Sequence, residues 1–303
     1  MIKKFTVSIG IPAYNEEANI KKLLSSLLRQ KGNSFILKEI IVVSDSSTDN
    51  TVKEIQSVQD KRIKLIQNKK RLGQALSQGK IFKKFRGDII ILLNADVLPD
   101  SDFFIQNSIK PFYKNKKIGL VGIKLKLVKA ETFFERIINF SASYKNNIFS
   151  SWKNGNNLLL CCGRARVFSA SFANKLKWRS MVSEDAYSYL KCLSAGYLFV
   201  YNQDAKVFYK SPNSFTDHIR QSKRFLAGPD EMLNYFDAKF VKENYTVPIL
   251  ITLRETLKFF LRNPFYFGCY LVIYLYIKIR PNKDRYVNSI WTPSISSKSL
   301  SVR

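Results

Sequence analysis

The chain is poor in the residues that build metal and disulfide frameworks. It has four cysteines, Cys161, Cys162, Cys192 and Cys269, and one histidine among 303 residues. None of the cysteines forms a C-x-x-C pair, so a zinc site of the usual spacing is excluded. The thiols are expected to pack as small, reduced, apolar groups in a cytosolic setting. A membrane-crossing run is also missing. The uncharged stretch from Phe265 to Ile277 has thirteen residues, against the roughly 20 that span a bilayer. The opening "MIKKFTVSIGIPAYN" has only a short apolar run before Pro12 and no cleavage site, so no secretory leader is expected. Acidic residues are scarce too: 23 Asp plus Glu stand against 50 Lys plus Arg, a net charge of +27. Such a surface attracts anions, whether nucleic acid, acidic lipid headgroups or phosphorylated ligands. The cations are spread along the chain, with no basic stripe interleaved with aromatics, so nucleic acid is not expected as a partner.

What is present is a globular composition, 46% hydrophobic and 24% charged, with enough length for about two domains or one domain with an appendage. The first half alternates strand and helix patterns. "FTVSIGI" reads as a buried strand stopped by Pro12, and "NEEANIKKLLSSLLRQKG" as a helix. In that helix Asn15 is the expected cap, Glu16 and Glu17 suit the positive end, and Gly32 is the expected stop. "EIIVVS", "IKLIQ" and "DIIILLN" repeat the strand pattern, with helices opening at "STDNT" and "GQAL". Strands alternating with helices predict an α/β fold, a mostly parallel central sheet with helices on both faces. Ligands bind such sheets at the carboxyl ends of the strands. That rule selects Pro12-Ala13-Tyr14-Asn15, Ser44-Asp45, Arg71-Leu72-Gly73 and Asn94-Ala95-Asp96.

The second half is less regular. "IGLVGIKLKLV" reads as a strand and "TFFERIINFSASYKNNIFSSW" as a long amphipathic helix. "NLLLCCGRARVFS" reads as two strands or a kinked one. "SEDAYSYLKCLSAG" reads as a helix with Ser183 as cap, and "SFTDHIRQSKRFLAG" as a helix up to Gly228-Pro229. Beyond Tyr245 two apolar helices, joined at Asn263-Pro264 and flanked by Arg262, Lys278 and Arg280, predict a helical hairpin lying on or dipping into a membrane face. The expected organisation is therefore residues 1–228 as a catalytic domain, 229–280 as a membrane-associating helical region, and 281–303 as a basic, Ser-rich tail.

The strand ends carry chemistry. A carboxylate at Asp96 can hold a divalent cation that bridges two phosphates. Tyr14 and Asp45 can form a slot for a base, and Arg71 can meet a phosphate or the base edge. Glu184-Asp185 opens a helix and can supply a general base. Gly163 can allow close approach of an acceptor, and Arg164 or Arg166 can reach a phosphate. His218 is expected to be a packing or surface residue rather than a ligand, and Trp152 and Trp178 are expected to pack rather than stack on sugars.

In order, "VSIGIPAYNEEANI", "EIIVVSDSSTDNT", "NKKRLGQAL", "DIIILLNADVLPD", "SEDAYSYLKCLSAGY" and "RQSKRFLAG" resemble the family 2 glycosyltransferases, which have the GT-A type fold. The resemblance covers about residues 5 to 228. It implies that Pro12, Ala13, Tyr14, Glu16 and Asp45 line a nucleotide pocket with Arg71, Asn94 and Ala95. It implies that Asp96 is the metal-binding last acid of a DxD-type motif for Mg²⁺ or Mn²⁺, and that Asp185 deprotonates the acceptor. Gln221, Arg224 and Phe225 resemble the QxxRW motif of membrane-linked members, and with Glu184 they would face the diphosphate or acceptor. Ser44, Asn94 and Phe225 depart from the family's Asp, Asp and Trp.

The function this implies is an inverting transfer of a sugar from a nucleotide-diphosphate donor, a UDP-sugar by preference. The acceptor would be a hydroxyl of a lipid-linked or glycan molecule. The protein is expected on the cytosolic side of an anionic membrane surface, peripheral or monotopic. Two rivals remain. One is a nucleotidyltransferase, disfavoured because "PAYNEE" replaces a Gly- and Lys-rich loop after the first strand. The other is a catalytically weakened, basic membrane- or anion-binding relative, for which Ser44 and Asn94 speak.

Overall fold

A computed structural model describes residues 4–279 and residue 290; the expected tail, 281–303, lies outside the described residues apart from that one. The chain begins β1 (Phe5–Ala13), α1 (Ile20–Leu28), β2 (Phe35–Ser44), α2 (Thr51–Gln56), β3 (Ile63–Gln67), α3 (Gln74–Phe82) and β4 (Ile89–Leu93). It continues with β5 (Val97–Pro99), α4 (Phe104–Lys114), β6 (Ile118–Leu127), α5 (Phe133–Ser151), β7 (Ala165–Ser169) and α6 (Ala170–Ala173). Then follow α7 (Glu184–Ser194), β8 (Leu198–Tyr209), α8 (Phe215–Met232), α9 (Ala238–Tyr245), α10 (Ile249–Arg262) and α11 (Pro264–Ile279).

The strands form one sheet in the order β3-β2-β1-β4-β7-β6-β8-β5. The β3-β2-β1-β4 half is parallel throughout. β7 runs antiparallel to β4 and β6, and β5 antiparallel to β8, so the sheet as a whole is mixed. Residues β-branched or apolar on both faces explain the continuous hydrophobic runs. Ile9, Ile11, Ile40, Val42, Ile89 and Ile91 face one layer with α1 and α4. Ile41, Val43, Ile90 and Leu92 face the other, with α3, α6 and α7. The chain order reverses direction at β1, with β2 on one side and β4 on the other. The crevice at their carboxyl ends is the switch point where ligands bind in such sheets.

Several local expectations change. Asn15 does not cap α1, which starts five residues later with Asn19 at the cap position. Instead Asn15 takes φ 53°, its Oδ1 accepts the Thr48 N–H at 2.8 Å, and its N–H donates to Ser47 Oγ at 3.2 Å. Glu16 N–H donates to Thr51 Oγ1 at 2.7 Å, and Glu17 Oε2 accepts the Asn50 N–H at 2.8 Å. The polar residues after β1 thus clasp the loop after β2 rather than a helix. Gly32 lies beyond the end of α1 and is not its stop.

"NLLLCCG" is not a strand but a 3₁₀ turn, Leu158–Leu160. Buried Asn157 imposes it: the side chain accepts from Leu159 N–H and donates to the Phe149 and Trp152 carbonyls. Ala95 and Asp96 form a turn, and Val97–Pro99 beyond it form a short edge strand, β5. Helix α8 does not stop at Gly228-Pro229 but runs on to Met232. Glu231 holds that last turn, its carboxylate accepting the Val182 and Ser183 N–H groups at 2.8 Å each. Ser183 sits at the cap position of α7 but makes no side-chain cap bond.

Helices α10 and α11 meet at Asn263 and both pack on α5, where Tyr144, Phe259 and Tyr270 form a separate apolar cluster. Among the described residues no helix is long and apolar enough to cross a membrane. The outward side of α10 is nonetheless apolar: Leu250, Leu253, Leu257 and Leu261 recur at helical spacing and are each more than half exposed.

Candidate active site

A cleft of about 840 Å³ opens at the carboxyl edge of the sheet. It is lined by Pro12, Ala13, Tyr14, Glu16, Asp45, Arg71, Asn94, Ala95, Asp96, Glu184, Asp185, Gln221, Arg224 and Phe225, but not by Asn15, Ser44, Leu72 or Arg166. The strands explain the convergence. Ala13, Ser44 and Leu93 end parallel strands at this edge, and antiparallel β7 begins there, opposite Leu93.

The slot expected between Tyr14 and Asp45 takes a different form. The Arg71 guanidinium lies over the Tyr14 ring, 3.7 Å from its centroid, a cation–π contact. The buried Asp45 carboxylate accepts from the Leu72 and Gly73 N–H groups at 2.9 Å each and from Asn68 Nδ2 at 2.7 Å. Asp45 therefore fixes the loop that carries Arg71. Gly73 has φ 88°, a conformation that favours glycine.

The amide and the acid of the 94–96 stretch have different surroundings. Asn94 donates its backbone N–H to the Arg164 carbonyl at 2.9 Å, and its Oδ1 accepts from Gln74 Nε2 at 3.0 Å. Asp96 Oδ1 is buried with no hydrogen-bond partner among the described residues. Such an oxygen suits a hard divalent cation. Among the described residues no group of three or more His, Cys, Asp or Glu side chains could hold a metal by itself, so a cation at Asp96 would need ligand oxygens from a bound molecule. Two guanidinium groups feel the same carboxylate. Burial works against the Arg164 charge, but Asp96 is the main group that opposes this and leaves its pKa raised. Burial and the charge of Arg164 bring Arg224 down to about 10.

The start of α7 holds a network that the sequence analysis did not find. Glu184 Oε1 accepts from Gln74 Nε2 at 3.0 Å and Gln78 Nε2 at 3.3 Å. Fully buried Arg166 lies 3.5 Å from the same oxygen and donates to the Glu184 carbonyl and Ser188 Oγ. The i, i+4 spacing of Gln74 and Gln78 on one face of α3 was the available signal. Asp185 lines the cleft beside it, with different partners. Its Oδ2 accepts the Gly163 N–H at 3.0 Å and its Oδ1 the Ala186 N–H at 2.8 Å. A side chain at Gly163 would meet Glu184 Oε1 at 2.9 Å, so this approach needs glycine. Trp152 is buried, and Trp178 packs edge-on against Phe82 at 4.8 Å. Phe225 is 63% exposed at the cleft mouth.

Burial, reinforced by Asp185, pushes the Glu184 carboxyl up to about 7. A carboxyl raised in the folded state binds more protons there than when unfolded, so its contribution to stability falls as pH rises. That contribution is intact below about 4.5 and lost by about 7, on the order of 3 kcal/mol for the fully buried group. Denaturant unfolding at pH 5 and pH 8 should show a larger loss in the parent than in Glu184→Gln. Equal losses would remove Glu184 as the source.

The strand-end cleft in a mixed sheet defines a nucleotide-diphospho-sugar transferase architecture of the GT-A type. The family model described as "Glycosyl transferase family 2" matches residues 8–177, more than half of the chain, and the protein belongs to that family. A mannosyltransferase of Pyrobaculum calidifontis, solved in complex with GDP-Man and Mn²⁺, superposes with a TM-score of 0.62 at 17% identity, covering 93% of this chain and 77% of that one. The chain is 33% identical over 106 residues to the Escherichia coli UDP-Glc:alpha-D-GlcNAc-diphosphoundecaprenol beta-1,3-glucosyltransferase WfgD, covering 35% of this chain and 39% of that protein. It is 26% identical to a Cyamopsis tetragonoloba glucomannan 4-beta-mannosyltransferase over 276 residues, 84% of this chain and half of that protein. The chain thus spans half or less of the length of these curated relatives.

Proposed function

We propose that this protein is an inverting glycosyltransferase that moves a sugar from a nucleotide-diphosphate donor, most naturally a UDP-sugar, to a hydroxyl of a lipid-linked or glycan acceptor. The observation that carries the reading is the setting of Asp185. Backbone N–H groups of Gly163 and Ala186 fix its carboxylate, in the same cleft as the partnerless oxygen of Asp96. One held base on one side and a cation-rich leaving-group site on the other are what a single displacement needs.

In this reading Asp185 takes the proton of the acceptor hydroxyl. The acceptor oxygen bonds to the anomeric carbon as the bond to the diphosphate oxygen breaks, and the electron pair leaves with the nucleotide diphosphate. Arg224 and Arg164 neutralise the departing charge. Asp96 would hold Mg²⁺ or Mn²⁺, which supplies further positive charge against the leaving diphosphate. Glu184 is engaged by Gln74, Gln78 and Arg166 and holds the start of α7. Incubation with UDP-, GDP- and dTDP-sugars, Mn²⁺ and membranes should release nucleotide from at least one donor. Release from none would sink the reading.

The reading includes a place: the cytosolic face of an anionic membrane, held peripherally or monotopically by α10 and α11. Its support is the exposed apolar stripe of α10, with Val272 and Ile279 exposed on α11, bordered by the exposed cations Arg254, Lys258, Arg262 and Lys278. The cysteines within the described residues are free thiols, which suits a reducing compartment. Leu250→Glu with Val272→Glu should cut flotation with anionic liposomes about tenfold or more, since each change replaces lipid-buried apolar surface with a charge. Undiminished flotation would count against the membrane face.

A further inference from the structure

Three segments far apart in the chain supply the chemistry of the cleft. They are the loop after β2 with Asp45, the end of β4 with Asn94 and Asp96, and the start of α7 with Glu184 and Asp185. Gln74, the first residue of α3 and half-buried in the cleft wall, joins them. Its backbone follows Gly73, whose N–H donates to Asp45 Oδ2 at 2.9 Å. Its Nε2 donates to Asn94 Oδ1 at 3.0 Å and to Glu184 Oε1 at 3.0 Å, partners 20 and 110 residues away in the chain.

The direction of these bonds is fixed by chemistry. Gln74, Gln78 and Arg166 all bring donors to Glu184 Oε1, so that oxygen accepts and Gln74 must present its nitrogen. An amide nitrogen carries two hydrogens and no acceptor, so its second bond also donates, and Asn94 meets it with its carbonyl oxygen. Gln78, one turn further along α3 and fully buried, repeats half of the pattern. Its Nε2 donates to Glu184 at 3.3 Å and its Oε1 accepts from Arg166 at 3.3 Å, but it does not reach Asn94. An amide at position 94 suits this arrangement. It gives Gln74 an acceptor oxygen without adding a further carboxylate to Asp96 and Glu184.

We propose that Gln74 is a positioning residue that sets where the base-bearing start of α7 stands relative to the leaving-group end of β4. This deepens the transferase reading and rests on it. In a single displacement the acceptor oxygen, the anomeric carbon and the departing oxygen lie in line, so an error of about 1 Å between base and leaving group is costly. Asp96 lies two residues from one partner of Gln74, and Asp185 is next to the other. Because both hydrogen bonds leave one nitrogen, a shift of either segment is passed to the other. Gln74 acts through Asn94 and Glu184 and needs no contact with the reacting atoms.

The test has a kinetic and a ligand-free readout, both on the full chain at a temperature where every variant is folded. Gln74→Met keeps the length of the side chain and removes its donors. It should lower kcat for sugar transfer by about 10–100-fold, with kcat/KM falling in parallel, because what is lost matters in the transition state. Gln74→Lys, which still donates to two oxygens, should recover most of that loss. Without ligand, hydrogen exchange should quicken about three- to tenfold in Gln74→Met at the backbone amides of both 94–96 and 185–188, the worth of a lost hydrogen bond. Gln78→Met, which breaks the contact with Glu184 but none with Asn94, should quicken exchange at 185–188 alone. Parental kcat in Gln74→Met overturns the proposal. So does exchange that quickens at only one of the two segments in Gln74→Met, which would make Gln74 a local contact. A kcat that Gln74→Lys fails to restore assigns the loss to packing and overturns it as well. A parent that releases nucleotide from no donor overturns the transferase reading alone, and the exchange comparison still decides whether Gln74 ties the two segments together.

Discussion

Asp185→Asn is expected to lower acceptor-dependent sugar transfer by about 10²–10⁴-fold, the usual worth of a positioned general base, with donor affinity close to that of the parent. The substitution keeps the shape. The amide oxygen can still accept the Gly163 N–H that now meets Oδ2 at 3.0 Å. The Ala186 N–H loses its acceptor, a modest local cost at a helix start. What disappears is the carboxylate at this end of α7 held by backbone N–H groups alone, whereas the neighbouring Glu184 is engaged by Gln74, Gln78 and Arg166. The comparison with Glu184→Gln is informative for that reason. Glu184→Gln preserves an oxygen acceptor for both glutamines and should chiefly alter the pH dependence of stability. Transfer rates with saturating donor and varied acceptor measure the difference. Full activity in Asp185→Asn would leave the proposed mechanism without a base.

Asp96→Asn is expected to weaken Mn²⁺ activation by at least about 10–100-fold. Groups that merely support a metal ligand cost that much when removed, and Asp96 would be a ligand itself. Its Oδ1 has no hydrogen bond to lose among the described residues, but its charge is the main one sustaining that of Arg164, so melting temperature separates a loss of stability from a loss of metal activation. Asn94→Asp should act in the opposite direction. The Asn94 Oδ1 that accepts from Gln74 at 3.0 Å can be replaced by a carboxylate oxygen that still accepts, and a second charge then joins Asp96 at the strand end. Mn²⁺ titration of nucleotide release should show a lower half-saturating concentration. Unchanged metal-dependent turnover in Asp96→Asn would reduce "NADVLPD" to a loop and an edge strand.

Much of this was legible from the sequence because it is written in local periodicity. Buried strands carry apolar residues on both faces, and the first residues beyond them lie at the carboxyl edge of the parallel half of the sheet. The sequence alone therefore places Tyr14, Asp45 and Asp96 at one strand-end edge. The acids opening α7 follow from the preference of helix N-termini for negative charge. The six ordered motifs added the family, and the match to residues 8–177 agrees with it.

What the sequence could not decide depends on contacts between distant segments. Glu184 meets Gln74 and Gln78 across more than a hundred residues, so no spacing rule separates its role from that of Asp185. Asn15 looked like a helix cap because caps and loop clasps use the same side chain; the loop after β2 took it. Gly228-Pro229 looked like a helix end because local propensity says so; Glu231, bonded to Val182 and Ser183, carried the helix past it. The apolar stripe of α10 had a face in the sequence but no direction. Only packing on α5 showed that Phe259 points inward and that Leu250, Leu253, Leu257 and Leu261 point out. The sequence by itself determined the strands, the helices and the acids at their ends, because those follow from side-chain period and backbone preference. Tertiary structure decided which partners hold each of the two acids opening α7 and which apolar face stays exposed. Each of these is set by what lies opposite a side chain, and the neighbour opposite is rarely a neighbour in the chain.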